Sequence, residues 1–122
     1  MQELTHYING AHVKGTSGRF SNVYNPATGE VQAKVPLASA DEMAQAVEIA
    51  AAAQVAWGAV NPQRRARVMM KFVDLLNRDM DALAEALSRE HGKTLPDAQG
   101  DVQRGLEVVE YCIGAPQMLK GD

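Results

Sequence analysis

The chain has 122 residues, the size of one ordinary domain or of a piece of a larger one. Its 46% hydrophobic and 22% charged residues are those of a globular protein, and a net charge of −3 with both signs interspersed leaves no basic stripe for nucleic acid. No apolar run approaches the roughly 20 residues that cross a bilayer, the first residues have neither a charged nor an apolar leader pattern, and the single cysteine excludes an intrachain disulfide or a multi-cysteine zinc site, so a cytoplasmic protein without a membrane partner is expected.

The first forty residues read as β structure. In "HYINGAHVKG" the pair Asn9-Gly10 separates short strands around Tyr7-Ile8 and His12-Val13, because both turn positions tolerate positive φ. In "VYNPATGEVQAKVPL" the cluster Asn25-Pro26-Ala27-Thr28-Gly29 separates Val23-Tyr24 from the alternating Val31, Ala33 and Val35, with Pro36 closing the strand. Isolated hairpins are marginal in water, so these strands need a surface to lie on.

From Ser39 onward the pattern is helical. Ser39 and Glu42 have capping-box spacing, and Met43, Ala46, Val47, Ala50, Ala53 and Trp57 recur at intervals of three and four up to Gly58. Asn61-Pro62 suits an N-cap followed by proline at the first helical position, and Val68, Met69, Phe72, Leu75 and Leu76 form the stripe of a second helix. Asp79 begins a third, with Met80, Leu83, Ala84 and Leu87 on one face and Gly92 as a left-handed end. Pro96 fits the first turn of a fourth, striped by Val102, Leu106, Val109 and Ile113 until Gly114 and Pro116 end it. Trp57 and Phe72 read as core anchors. Much of the apolar content is alanine, and alanine-rich helices gain stability by close approach to a partner surface.

Two hairpins (residues 1–38) and four helices (39–118) do not supply a full sheet for the helices to cover. A helix-rich flank of a larger α/β protein explains the pattern better than a complete domain. The succession "YINGAHV", "NPATGEV", "ADEMAQAVEIAAAAQVAW", "RRARVMMKFVDLLNRDMDALA" and "EHGKTLPDA" resembles, in order and across nearly the whole chain, the N-terminal region of the aldehyde dehydrogenase superfamily. The final stretch, "SREHGKTLPDAQGDVQRGLEVVEYCIGAPQMLKGD", is most similar to its CoA-acylating methylmalonate-semialdehyde branch. The implied fold is an α+β fragment of the α/β aldehyde dehydrogenase fold, residues 1–122 forming the N-terminal part of its cofactor-binding domain, with the remainder absent.

The resemblance implies oxidation of an aldehyde through a cysteine thiolate, hydride transfer to NAD, loss of a β-carboxylate as CO2 and acyl transfer to coenzyme A. It also implies a homo-oligomeric enzyme acting on a small semialdehyde. The nucleophile, general base, oxyanion asparagine and NAD-binding turn of the family find no counterpart in these residues, so no catalytic, cofactor-binding or metal residue is expected here and the chain alone should be inactive. Cys112 lies late in a helix, where the dipole opposes a thiolate, and reads as a packing residue.

Arg104 is the candidate substrate-binding residue. The resemblance implies that the arginine of "GDVQRG" faces the substrate tunnel and holds the carboxylate, a task for which a planar, permanently charged guanidinium is suited. The alternative is an exposed arginine paired with Asp101 or Glu107 on the helix surface. Gly100 and Gly105 each cost about 1 kcal/mol relative to alanine in a helix, a loss that a close ligand or backbone would explain. Arg64, Arg65 and Arg67 crowd the start of a helix, where the macrodipole disfavours cations. They are expected to be a solvated surface cluster or to form salt bridges to a neighbouring domain or subunit, the alternative being a reach toward an anionic ligand such as a CoA phosphate. His6 and His12, flanking a hairpin turn, would lie side by side but make a poor metal site as a pair, and His91 reads as a cation at a helix end. Two other readings stand beside the acylating one: an aldehyde dehydrogenase of different substrate, in which Arg104 is incidental, and a non-catalytic helical module that binds a partner through its apolar stripes.

Overall fold

The Asn9-Gly10 pair adopts positive φ at both positions, 54° and 75°, in the computed structural model, which describes residues 2–121. Those angles turn the chain between β2 (His6–Ile8) and β3 (Ala11–Val13), which pair antiparallel with Tyr7 opposite His12. The second predicted hairpin forms between β4 (Phe20–Tyr24) and β5 (Val31–Pro36). Its turn is held by an Asx bond from Ala27 N to Asn25 Oδ1 at 2.9 Å and by Gly29 N donating to Asn25 O at 2.8 Å, with Gly29 at φ 74°. A further strand, β1 (Gln2–Glu3), runs parallel to β5 and gives the sheet order β1-β5-β4. Its two residues carry no local strand signal; pairing with β5 makes it a strand.

The chain divides into two units, one ending at Ala59 and one beginning at Val60. In the first, α1 (Ala40–Ala59) follows β5. Its start is the reciprocal box expected of Ser39 and Glu42: Ser39 N donates to Glu42 Oε2 at 2.8 Å and Glu42 N donates to Ser39 Oγ at 3.1 Å. The other carboxylate oxygen, Oε1, accepts from Thr16 N at 2.7 Å and ties the segment after β3 to the helix start. Gly15 in that segment lies so close to Pro36 that a Cβ would stand 2.8 Å from the proline Cβ. Ala33 and Pro36 of β5 are the buried residues of the sheet, and α1 buries none of its side chains.

The second unit is helical. Asn61 Oδ1 accepts from Gln63 N at 2.8 Å and Pro62 opens α2 (Pro62–Arg78), as the Asn-Pro pair predicts. A single residue, Asp79, then separates α2 from α3 (Met80–His91); its carboxylate takes both Nε and Nη2 of Arg78, at 2.8 and 2.7 Å, and does not cap the next helix. Gly92 ends α3 in the left-handed conformation at φ 85°. There follow α4 (Leu95–Ile113), with Pro96 in its first turn, and a four-residue α5 (Ala115–Met118) absent from the sequence reading. Pro116 was expected to stop the chain's helical course, but a proline fits a first helical turn, and here it starts one.

The core of this unit is built from small residues. Ala66, Ala84, Ala98 and Leu106 are buried where α4 meets α2 and α3, the close approach that alanine permits. The larger side chains read as anchors are not inside: Trp57 and Phe72 are both 45% exposed, as are Met43, Val47, Val55 and Val68 to similar or greater degree. An apolar stripe locates the face of a helix that seeks cover, and no described residue covers these faces within either unit.

Candidate functional site

Arg104 lies on α4 two residues before the buried Leu106, and so on the opposite side of the helix from the core. Its side chain is 75% exposed among the described residues. Nη1 donates to Asp101 Oδ1 at 2.6 Å, an i,i+3 pair within one turn of helix. The same carboxylate accepts from Lys93 through its other oxygen, Oδ2, and Lys93 Nζ also lies 3.1 Å from Asp97 Oδ2. Asp97, Asp101 and Arg104 share one helix face by their spacing of four and three. Lys93 stands just before the helix and reaches forward along it.

Lys93 is the fixed end of this series. Its side chain is only 16% exposed, and its carbonyl accepts from Ser88 Oγ of α3 at 2.7 Å. The hydrogen bond from Lys93 holds the Asp101 carboxyl below its ordinary range, helped by the charges of Lys93, Arg104 and His91 against partial desolvation. The bonds to Asp101 and then Asp97 raise the Lys93 ammonium above its ordinary value. Lys93 and Asp101 are therefore both charged at neutral pH. Around Arg104 the surface is open: a Cβ on Gly100 or Gly105 would meet nothing within 4 Å. No described residue accounts for the conformational cost of those two glycines.

The remaining candidates are dispersed. Arg64, Arg65 and Arg67 form no ion pair among the described residues, and Arg65 Nε is buried without a hydrogen-bond partner. Cys112, expected as a packing residue, is exposed. His6 and His12 do not lie side by side: His6 pairs with Val13 and His12 with Tyr7, so alternation puts them on opposite faces of the hairpin. His12 packs edge-on to the Tyr7 ring at 5.2 Å and lies 2.9 Å from Thr5 Oγ1. His91 is in the last turn of α3, at the carbonyl end where a cation is favoured. No group of three or more His, Cys, Asp or Glu gathers among the described residues as a metal site would require. A cavity of about 360 Å³ in the first unit is lined by His6, Lys14, Glu42 and Gln45 among apolar neighbours.

A dinucleotide would need a glycine-rich turn between a strand and a helix N-terminus. Among the described residues the passage from strand to helix is β5 to α1, through Leu37, Ala38 and Ser39; it contains no glycine, and the Ser39 N–H is already taken by Glu42. These residues do not fit a nicotinamide dinucleotide. No single helix among them is long and apolar enough to cross a membrane.

Of the two surface partners the sequence offers Arg104, Asp101 and Glu107, the structure shows Asp101; sequence reasoning missed Lys93, whose contribution depends on a forward reach onto the helix from outside it. The signal was present in part, since 93, 97 and 101 are four residues apart.

The chain matches known proteins over its full length. The model of the family described as "Aldehyde dehydrogenase family" matches residues 12–122. A malonate-semialdehyde dehydrogenase of Pseudomonas aeruginosa is 44% identical over all 122 residues, which span 24% of that relative. A solved structure from Sinorhizobium meliloti, assigned as a methylmalonate-semialdehyde dehydrogenase and complexed with NAD, is 65% identical with a TM-score of 0.93 over 96% of this chain and 24% of its own. The methylmalonate-semialdehyde dehydrogenase of Oceanimonas doudoroffii is 43% identical with a TM-score of 0.95 over the whole chain and 25% of its own. The chain thus spans about a quarter of the length of these relatives, and over that quarter its strands and helices are theirs: it belongs to the aldehyde dehydrogenase family.

Proposed function

We propose that this chain is the N-terminal part of the cofactor-binding domain of an NAD-dependent, CoA-acylating dehydrogenase of malonate or methylmalonate semialdehyde. The single observation that carries the reading is likeness across 96–100% of this chain, 40–65% identical, to proteins of those names. The exposed apolar stripes of α1 and α2 support it, because in relatives four times as long such faces have further chain to pack against. NAD and coenzyme A would be held by segments outside these 122 residues, and NAD, when bound, supplies the hydride acceptor. Arg104 is the residue of this chain assigned to the substrate, as the cation that binds its carboxylate. The enzyme is assigned to the cytoplasm, in keeping with the one free cysteine, and to a homo-oligomer.

One observation favours a second reading. Arg104 already has a partner in Asp101 and is mostly exposed, as it would be in an aldehyde dehydrogenase whose substrate lacks a carboxylate. The two readings separate in a chimera that joins this chain to the portion of the Sinorhizobium meliloti relative it does not cover. With malonate semialdehyde, NAD and CoA, the first predicts acyl-CoA formation and a kcat/KM lowered at least about tenfold by Arg104→Ala. An unchanged kcat/KM selects the second. The 122-residue chain on its own is expected to produce no NADH from either aldehyde.

A further inference from the structure

We infer that Asp101 is the positioning residue of this site: it holds Arg104 by Nη1 so that the opposite, Nε and Nη2, edge of the guanidinium faces an incoming carboxylate. The inference rests on the assignment of Arg104 to the substrate and adds which edge is used and what aims it. Nη1 is the nitrogen on the Cδ side of the guanidinium, and it is the one bonded to Asp101, at 2.6 Å. The Nε–H and the adjacent Nη2–H form the other donor pair, a planar fork that matches the two oxygens of a carboxylate. Among the described residues neither of these nitrogens has a hydrogen-bond or ion-pair partner.

A long, exposed arginine loses rotamer freedom when it binds, and a residue that fixes it beforehand removes part of that loss. Asp101 can do this because it is itself fixed. Its second oxygen is bonded to Lys93, a mostly buried side chain whose backbone is tied to Ser88 on α3. The series Ser88, Lys93, Asp101, Arg104 therefore runs from the packed helix pair out to the guanidinium. Asp101 also leaves Arg104 its function. A carboxylate bonded to both Nε and Nη2 would occupy the fork, as Asp79 occupies that of Arg78, whereas Asp101 takes one nitrogen on the far side. The surface over Gly105, the next residue in the chain, is open.

The test is kinetic and uses the chimeric enzyme. The ratio of kcat/KM for malonate semialdehyde to that for propanal reads recognition of the carboxylate separately from the rest of catalysis. Asp101→Asn, which keeps the shape and one acceptor oxygen, is expected to lower this ratio about threefold, and Asp101→Ala about tenfold, both through KM and not kcat. Lys93→Met, which frees the other end of Asp101, should fall between wild type and Asp101→Ala. A drop with Arg104→Ala but none with either Asp101 variant would overturn the positioning role alone. No drop with Arg104→Ala would overturn the substrate assignment beneath it. A second reading of the same hold uses 15N-arginine spectra of the 122-residue chain, in which rotation about the Arg104 Nε–Cζ bond should quicken in Asp101→Ala; equal rates in the two chains would also overturn the role.

Discussion

Helices α1 and α4 are nearly equal in length, 20 and 19 residues, yet one buries no side chain and the other buries Ala98 and Leu106. Each begins at a well-formed cap or first-turn proline. The difference lies in what stands opposite. In the second unit α2 and α3 present Ala66 and Ala84 to α4, and helices with small residues at the contact approach closely enough for short side chains to fill the space. In the first unit α1 has only short strands beside it, and its start is held by polar contacts among Ser39, Thr16 and Glu42 while Met43, Val47 and Val55 remain exposed. Local capping is thus enough to define a helix, but only a complementary face makes it a core element.

That contrast can be broken at either helix. Leu106→Ala removes the one large buried side chain of α4 and should destabilise the second unit by about 3 kcal/mol, seen as a lowered midpoint of urea unfolding followed by helical circular dichroism. Gly15→Ala, which forces a methyl against Pro36, should cost the first unit about 2 kcal/mol, read from faster amide exchange in β4 and β5. Asn61→Ala removes the side-chain acceptor at the start of α2 and should cost about 1 kcal/mol in the same unfolding assay. Glu42→Gln sharpens the comparison through pH. Backbone donors from Ser39 first and Thr16 second lower the Glu42 carboxyl from 4.5 to about 2, so the unfolded chain takes up its proton first as pH falls. Its contribution is complete above pH 4.5 and lost as pH falls toward 2, and Glu42→Gln should flatten acid unfolding of the first unit over that interval. Met43→Ala, on the exposed face of α1, should change stability by less than about 0.5 kcal/mol in the 122-residue chain.

The elements that could be read from the sequence are those fixed by neighbours along the chain. Asn9-Gly10, the Ser39 and Glu42 box, Asn61-Pro62 and Gly92 each determine backbone angles or satisfy a terminal donor within four residues, so their signals are local. Strand β1 escaped because two residues become a strand only by pairing with β5, thirty-one positions away. Burial escaped for the same reason: periodicity shows that Trp57 and Phe72 each lie on the apolar face of their own helix but not whether anything meets it. At the candidate site, residue type and the i,i+3 interval made the pairing of Asp101 with Arg104 visible. The role of Lys93 was not visible, because it depends on the path of the chain between α3 and α4.

The junction at Asp79 carries a consequence for handling this protein. With one residue ending one helix and introducing the next, there is no slack to absorb an added or deleted position, and each insertion would rotate α3 by about 100° relative to the partners it packs on. Nicking enzymes, which need several residues drawn out in extended form, should pass over this point, while the turn around Thr28 offers them a way in. Epitope tags, split-protein cuts and domain insertions therefore belong at that turn and not between these two helices.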